Sequence, residues 1–127
     1  MATIADVMRP EFIEVAPEDT LGEVADRMNA INVGAVVVKD FGRLIGILTE
    51  RDLLKAMAAR VHTSEARVRQ WMTPDPITTT LDTDVEDAAR IMLEKGFRHL
   101  PALDENGQVA GVVSLRRVVA ATTTESV

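Results

Sequence analysis

The chain has 127 residues, 14 lysines and arginines against 20 acidic residues, and no cysteine, which suits one compact domain or two very small ones and excludes disulfides, zinc–thiolate sites and thiol chemistry. A net charge of −6 argues against a general binder of nucleic acid or anionic membrane. Apolar runs such as Gly34–Val38 are too short to span a bilayer, and Met1–Met8 lacks the basic and apolar stretches of a signal peptide, so a cytoplasmic, globular protein is expected.

The first periodic segment begins at Thr20, which with Glu23 has the form of a capping box. Leu21, Val24, Ala25, Met28 and Ile31 then follow helical spacing. Asn32, a residue that tolerates the left-handed conformation, ends that helix. Two short apolar strands, Ala35–Lys39 and Leu44–Leu48, are predicted next, followed by a helix over roughly 50–60. Ser64–Met72 reads as a linking helix with Ser64 as its cap. A second amphipathic helix carries Val85, Ala88, Ala89 and Met92, has Asp84 as a weaker cap, and ends at Gly96. Strands at Leu100–Leu103 and Val109–Val113 flank Asn106-Gly107, a strong hairpin signal. A last helix spans Leu115–Ala121, and 122–127 is expected to fray. The methionines Met28, Met57 and Met92 read as core filling.

These elements form a repeat. Val7-Met8-Arg9-Pro10 recurs as Trp71-Met72-Thr73-Pro74, and the same spacing relates Met28 to Met92 and Asp40 to Asp104. Gly46-Ile47-Leu48-Thr49 recurs as Gly111-Val112-Val113-Ser114 at one residue more, because the second hairpin turn is longer by one. The division expected is 1–60, a linker over 61–70, 71–121, and the tail. Each half reads as β-α-β-β-α. The fold class expected is α/β (α+β), with two such halves related by a pseudo-twofold axis and packed sheet to sheet. That arrangement creates two equivalent clefts, and ligand sites favour such places.

The ordered set of motifs resembles a tandem cystathionine-β-synthase (CBS) domain pair, a Bateman module. The residues that carry the resemblance are the two Met-x-Pro elements, Gly96-Phe97-Arg98-His99-Leu100-Pro101, and the Gly-hydrophobic-hydrophobic-Thr/Ser stretch, which in the first half continues as Gly46–Asp52. It covers residues 4 to 121, so the chain is similar to a stand-alone pair. The resemblance implies a small-molecule-sensing regulatory module that binds an adenosine nucleotide (AMP, ADP or ATP) in one inter-repeat cleft and needs no metal. Asp52 would take the ribose diol and Thr49 would lie near the phosphate. Residues spaced three apart share a helical face, but the same pair also makes an ordinary helix cap.

The second half departs from the pattern. Arg117 stands where Asp52 stood, and an arginine cannot accept hydrogen bonds from a diol; Ser114 keeps the hydroxyl. A similar Asp-to-Arg change in the gamma subunit of AMP-activated kinase accompanies basic residues that reach a phosphate in the partner cleft. On that precedent Arg98, His99 and Arg116 would hold phosphates, while Ile47, Ile77 and Thr78 line the base. Plain surface charge is the alternative for Arg98 and Arg116, and a salt bridge or solvated helix charge for Arg117. In the first half Gly34-Ala35-Val36-Val37 replaces the basic strand, so one site is expected rather than two.

Family members pair into disc-like dimers, so a homodimer is expected, along with an effector protein that the sequence does not identify. A ligand-free interaction or dimerisation module is the main alternative to nucleotide sensing. NAD or S-adenosylmethionine is a minor alternative ligand, and nucleic acid a weaker one still. No enzyme is expected, because the sequence offers no nucleophile–base pair and neither glycine-rich phosphate fingerprint.

Overall fold

The computed structural model describes residues 2–125. The chain divides into two compact units. One is Phe12–Pro76, called here the first unit. The other combines the segment up to Glu11 with the chain from Ile77 onward, and is called the second. Each repeat therefore contributes its Met-x-Pro segment to the unit built mainly from the other repeat.

The first unit contains β1 (Glu14–Val15), α2 (Leu21–Ile31), β2 (Ala35–Asp40), β3 (Arg43–Thr49), α3 (Glu50–Ala58), α4 (Val68–Trp71) and β4 (Thr73–Pro74). The second contains α1 (Ile4–Val7), β5 (Thr79–Thr80), α5 (Val85–Lys95), β6 (His99–Leu103), β7 (Val109–Ser114) and α6 (Leu115–Glu125). The sheets run β1-β2-β3-β4 and β5-β6-β7, each with a parallel first pair and an antiparallel hairpin. Both hairpins shift register at the same place, between Val38 and Lys39 and between Ala102 and Leu103.

Local chemistry sets the helix ends. The Glu23 N–H donates to Thr20 Oγ1 at 3.2 Å, while the Thr20 hydroxyl donates to Glu23 Oε1 at 2.8 Å. Asn32 and Gly96 both adopt the left-handed conformation that closes a helix. In each half the N–H after that residue, Val33 or Phe97, returns to the carbonyl of a buried methionine, Met28 or Met92. Asp84, by contrast, makes no side-chain cap bond.

The Met-x-Pro segments dock alike. In the second unit Ile4 N–H donates to Thr83 C=O at 2.9 Å, Ala5 N–H to Leu81 C=O at 3.0 Å, and Val85 N–H to Ala2 C=O at 3.1 Å. In the first, Val68 donates to Asp19 at 2.9 Å, Arg69 to Pro17 at 2.9 Å, and Leu21 to Ala66 at 3.0 Å. These are the same three bonds carried through the repeat. They also correct the expected linking helix. Ala66 and Val68 are drawn into bonds with α2 and the loop before it, and Arg67 bridges Thr20 in an extended conformation. The helix therefore starts only at Val68, residues 63–65 form a turn, and Ser64 caps nothing.

Two further differences concern extent. The second Met-x-Pro segment supplies a fourth strand, β4, which pairs with β3 at Gly46–Pro74 and Ile47–Thr73. Its counterpart in the second unit is a single bridge, Arg9–Val112. The last helix continues to Glu125 rather than fraying from residue 122, with the Thr122 hydroxyl donating to Val118 C=O at 2.9 Å. Residues 126 and 127 lie outside the described residues.

Each unit has its own core. Leu21, Val24, Met28, Val36, Val38, Leu48 and Val68 anchor the first, and Ile4, Val85, Met92, Leu100, Val113 and Val118 the second. Burying one such side chain is worth about 1.5–3 kcal/mol. Met57 is a correction to the methionine stripe, since it is 71% exposed. Helix α3 buries Asp52 and Ala56, and the residue after Ala56 falls on the outer face.

Candidate functional site

In the first unit the end of β3 and the start of α3 form one bonded element. Thr49 pairs with Ala35 across the hairpin, and Glu50 N–H donates to Gly34 C=O at 2.9 Å. Thr49 and Asp52 close a capping box. The Thr49 N–H donates to Asp52 Oδ2 at 2.9 Å, its hydroxyl donates to the same oxygen at 3.2 Å, and Asp52 N–H donates to Thr49 Oγ1 at 3.3 Å.

The helix-cap role of this pair is thus realised. Capping geometry alone carries no further argument, because Thr3 and exposed Asp6 repeat it at the same distances, 2.9 and 3.2 Å. Two features separate Asp52 from Asp6. Asp52 is only 8% exposed, and its protein bonds all use Oδ2. Oδ1 has no protein partner, and since no buried polar side-chain atom is left unpartnered among the described residues, it reaches solvent. The Thr49 hydroxyl has spent its one proton on Asp52, so it can accept a hydrogen bond from a ligand but cannot donate one to a phosphate while the cap stands.

The second unit builds the same corner with different chemistry. His99 pairs with Ser114, and Leu115 N–H donates to Arg98 C=O at 2.8 Å. Arg117 N–H donates to Ser114 Oγ at 3.2 Å, matching the Asp52–Thr49 bond. Where Asp52 returns a carboxylate, Arg117 turns away and donates to Val7 C=O at 3.0 Å. It ties the N-terminal segment to α6, a role neither a salt bridge nor free charge describes. Arg98 and Arg116 are exposed and join no ion pair among the described residues. Ser114, which keeps the hydroxyl of the motif, has an uncommitted hydroxyl proton, so it is a better phosphate donor than Thr49.

The anticipated residues fall into two groups. Ile47, Thr49 and Asp52 share β3 and α3 of the first unit, and Ile47 lies between Val37 and Thr73 in the ladder. Arg98, His99 and Arg116 share the β6–β7–α6 corner of the second. The approach to β5 runs beside the same end of β6, since Thr79 pairs with Ala102; there Thr78 is half-buried and Ile77 packs against the second core. No group of three His, Cys, Asp or Glu among the described residues could hold a metal. No described helix is long and apolar enough to cross a membrane.

Comparison with known proteins decides the family. The CBS domain profile matches residues 4–59 and again 68–123. The chain belongs to the CBS-domain family. It is a tandem CBS pair, a regulatory module. It is 42% identical to an uncharacterized 17.7 kDa protein of Acidianus ambivalens over 118 residues, 91% of this chain and 71% of that one. It is 32% identical to the CBS domain-containing protein YhcV of Bacillus subtilis over 115 residues, 91% and 81% of the two chains. The CBS-domain protein ATU1752 of Agrobacterium tumefaciens has a similar structure, with a TM-score of 0.86, 33% identity, and 95% and 99% of the chains covered. CBSX2, solved in complex with AMP, matches with a TM-score of 0.77 and 27% identity over 98% of each chain. The cytosolic domain of the Mg2+ channel MgtE, solved in complex with ATP, matches with a TM-score of 0.75 and 30% identity over 94% of this CBS pair and 48% of that chain.

Proposed function

We propose that this CBS pair senses an adenosine nucleotide, AMP, ADP or ATP. One observation carries the reading: Asp52 is a nearly buried carboxylate, fixed through Oδ2 by Thr49, with Oδ1 left accessible. A ribose diol offers two donors to such a group, and hydrogen bonds to an ionised acceptor are worth about 1.5–3 kcal/mol each. Arg98, Arg116 and His99 supply the phosphate contacts, with Ser114 as a neutral donor beside them, and Ile47, Ile77 and Thr78 supply the base contacts. The AMP and ATP complexes of CBSX2 and MgtE support the ligand class. Such a ligand acts by shifting a conformational population, to the extent that it prefers one state over the other.

A thermal-shift screen of AMP, ADP, ATP, NAD and S-adenosylmethionine tests this. A ligand at about 100 times its Kd adds about 2.7 kcal/mol, a rise of several degrees. The rise should follow a phosphorylated adenosine and vanish in Asp52→Ala. No shift with any of the five leaves the second reading, a ligand-free dimerisation module. That reading draws on Leu54 and Met57, which are 63% and 71% exposed on α3.

A further inference from the structure

Among the described residues, four other than glycine have a positive φ: Asn32 (56°), Phe41 (50°), Arg60 (59°) and Asp75 (47°). Phe41 stands apart from the other three. The left-handed region adds a clash at Cβ, and a bulky side chain is a true outlier there. Phe41 is also 98% exposed, so no packing offsets the strain. A β-carbon at the neighbouring Gly42 would meet nothing within 4 Å, so the tip of the β2–β3 hairpin stands clear.

The equivalent turn of the other repeat is built from ordinary turn chemistry. Asn106-Gly107 occupies it, and Asp104 Oδ1 accepts the Asn106 and Gln108 N–H groups at 2.9 and 3.0 Å. Asp40, the counterpart of Asp104, turns its carboxylate to no such use. It pairs directly across the hairpin with exposed Arg43, yet neither side chain joins an ion pair or hydrogen bond among the described residues. Lys39, one residue earlier, is committed to Glu14 at 2.9 Å. The tip therefore presents an unpaired carboxylate, a bare aromatic ring and an unpaired guanidinium. A single exposed apolar side chain is ordinary. One held in a disfavoured backbone conformation between two unpaired opposite charges points to a contact outside the chain.

The charges select the occupant. One of each sign flanks the ring, on opposite strands, so the tip complements itself. A twofold axis would stack Phe41 on the partner's Phe41 and set each Asp40 against the partner's Arg43. With Lys39 neutralised and the chain at −6, the tip has no surplus of positive charge for an anionic membrane or nucleic acid. We propose that the β2–β3 turn is a self-association site at which a second copy of this chain docks tip to tip. Two aromatic tips bury less than the roughly 1,000 Å² of a lasting interface, so the contact is weak and reversible. It is separate from the α3 face and independent of the nucleotide reading.

Sedimentation of the full chain at rising concentration, up to about 1 mM, tests this. Every protein carries Leu54→Asp, so that the α3 face does not contribute. The parent is compared with Phe41→Asn, Asp40→Arg, Arg43→Asp and an equimolar mixture of the last two. The parent should associate. Phe41→Asn should weaken association about tenfold or more while its Tm holds or rises, because asparagine suits the turn, so the loss is not one of folding. Asp40→Arg and Arg43→Asp should each weaken it about threefold or more by setting like charges together. Their mixture should recover the parent's association, since each variant offers the charge that the other lacks. A parent that stays monomeric throughout overturns the proposal, and so does Phe41→Asn associating as tightly as the parent. A mixture no tighter than its two components overturns the twofold tip-to-tip pairing.

Discussion

Met72 packs onto Gly46. A β-carbon at Gly46 would lie 2.5 Å from Met72 Sδ and 3.0 Å from the Thr73 carbonyl oxygen. Met8 and Gly111 repeat the relationship in the second unit, at 2.8 Å from Met8 Sδ and 2.9 Å from the Arg9 carbonyl oxygen. The methionine of each Met-x-Pro motif therefore needs the glycine of the Gly-hydrophobic-hydrophobic-Thr/Ser motif. The two signatures that define the repeat are one contact made twice.

Gly111→Ala should destabilise the protein by about 1–3 kcal/mol, the usual range for overpacking. A flexible methionine can step aside from a new methyl group, but a backbone carbonyl cannot do so cheaply. Both glycines face such a carbonyl, so Gly46→Ala is expected to cost a similar amount, and adding Met8→Ala to Gly111→Ala should not restore its stability. Urea denaturation of the single and double variants measures this.

Ile4 is fully buried in the second core although it lies far from that core in sequence. Ile4→Ala should cost about 2–4 kcal/mol, as large-to-small core changes do. Hydrogen exchange should localise the loss to α5, β6 and α6 and leave the first unit protected. Uniform loss across both units would contradict the assignment of the N-terminal segment to the second.

Phe41 is 98% exposed and has a φ of 50° ahead of Gly42 at 77°. Two-residue turns of this geometry prefer Asn-Gly. Phe41→Asn should raise stability by about 0.5–1 kcal/mol, read as a higher denaturation midpoint at unchanged m-value.

Much of the fold was legible because its signals are local. Thr20, Glu23, Asn32 and Gly96 fix helix ends through their own side chains or backbone, and the hairpin strands are short apolar runs separated by turn residues. Exchange of the Met-x-Pro segments between units was not legible. It depends on long-range backbone bonds such as Ile4 to Thr83, and a carbonyl carries no sequence signature. Thr49 and Asp52 stood out by spacing, but the spent hydroxyl proton of Thr49 and the free one of Ser114 show only in geometry. Asp75 ran against its signal, since a residue before proline reads as extended.

Leu54 occupies the same place on α3 as Val119 on α6, and both are exposed, at 63% and 47%. If these faces pair copies of the chain, Leu54→Asp should shift the mass measured by light scattering toward the monomer. Its cost to monomer stability should stay within about 0.5 kcal/mol, as for other surface changes.

Asp52→Asn separates a ligand-binding role of Asp52 from its role at the helix end. Asparagine keeps an oxygen to accept the Thr49 N–H but loses the ionised acceptor. Calorimetric titration of wild type and Asp52→Asn with ATP and AMP, alongside their melting curves, is the direct measurement. A melting temperature close to wild type with affinity reduced about tenfold or more is the expected result. Equal affinity in the two proteins would show that Asp52 is a helix cap and nothing else.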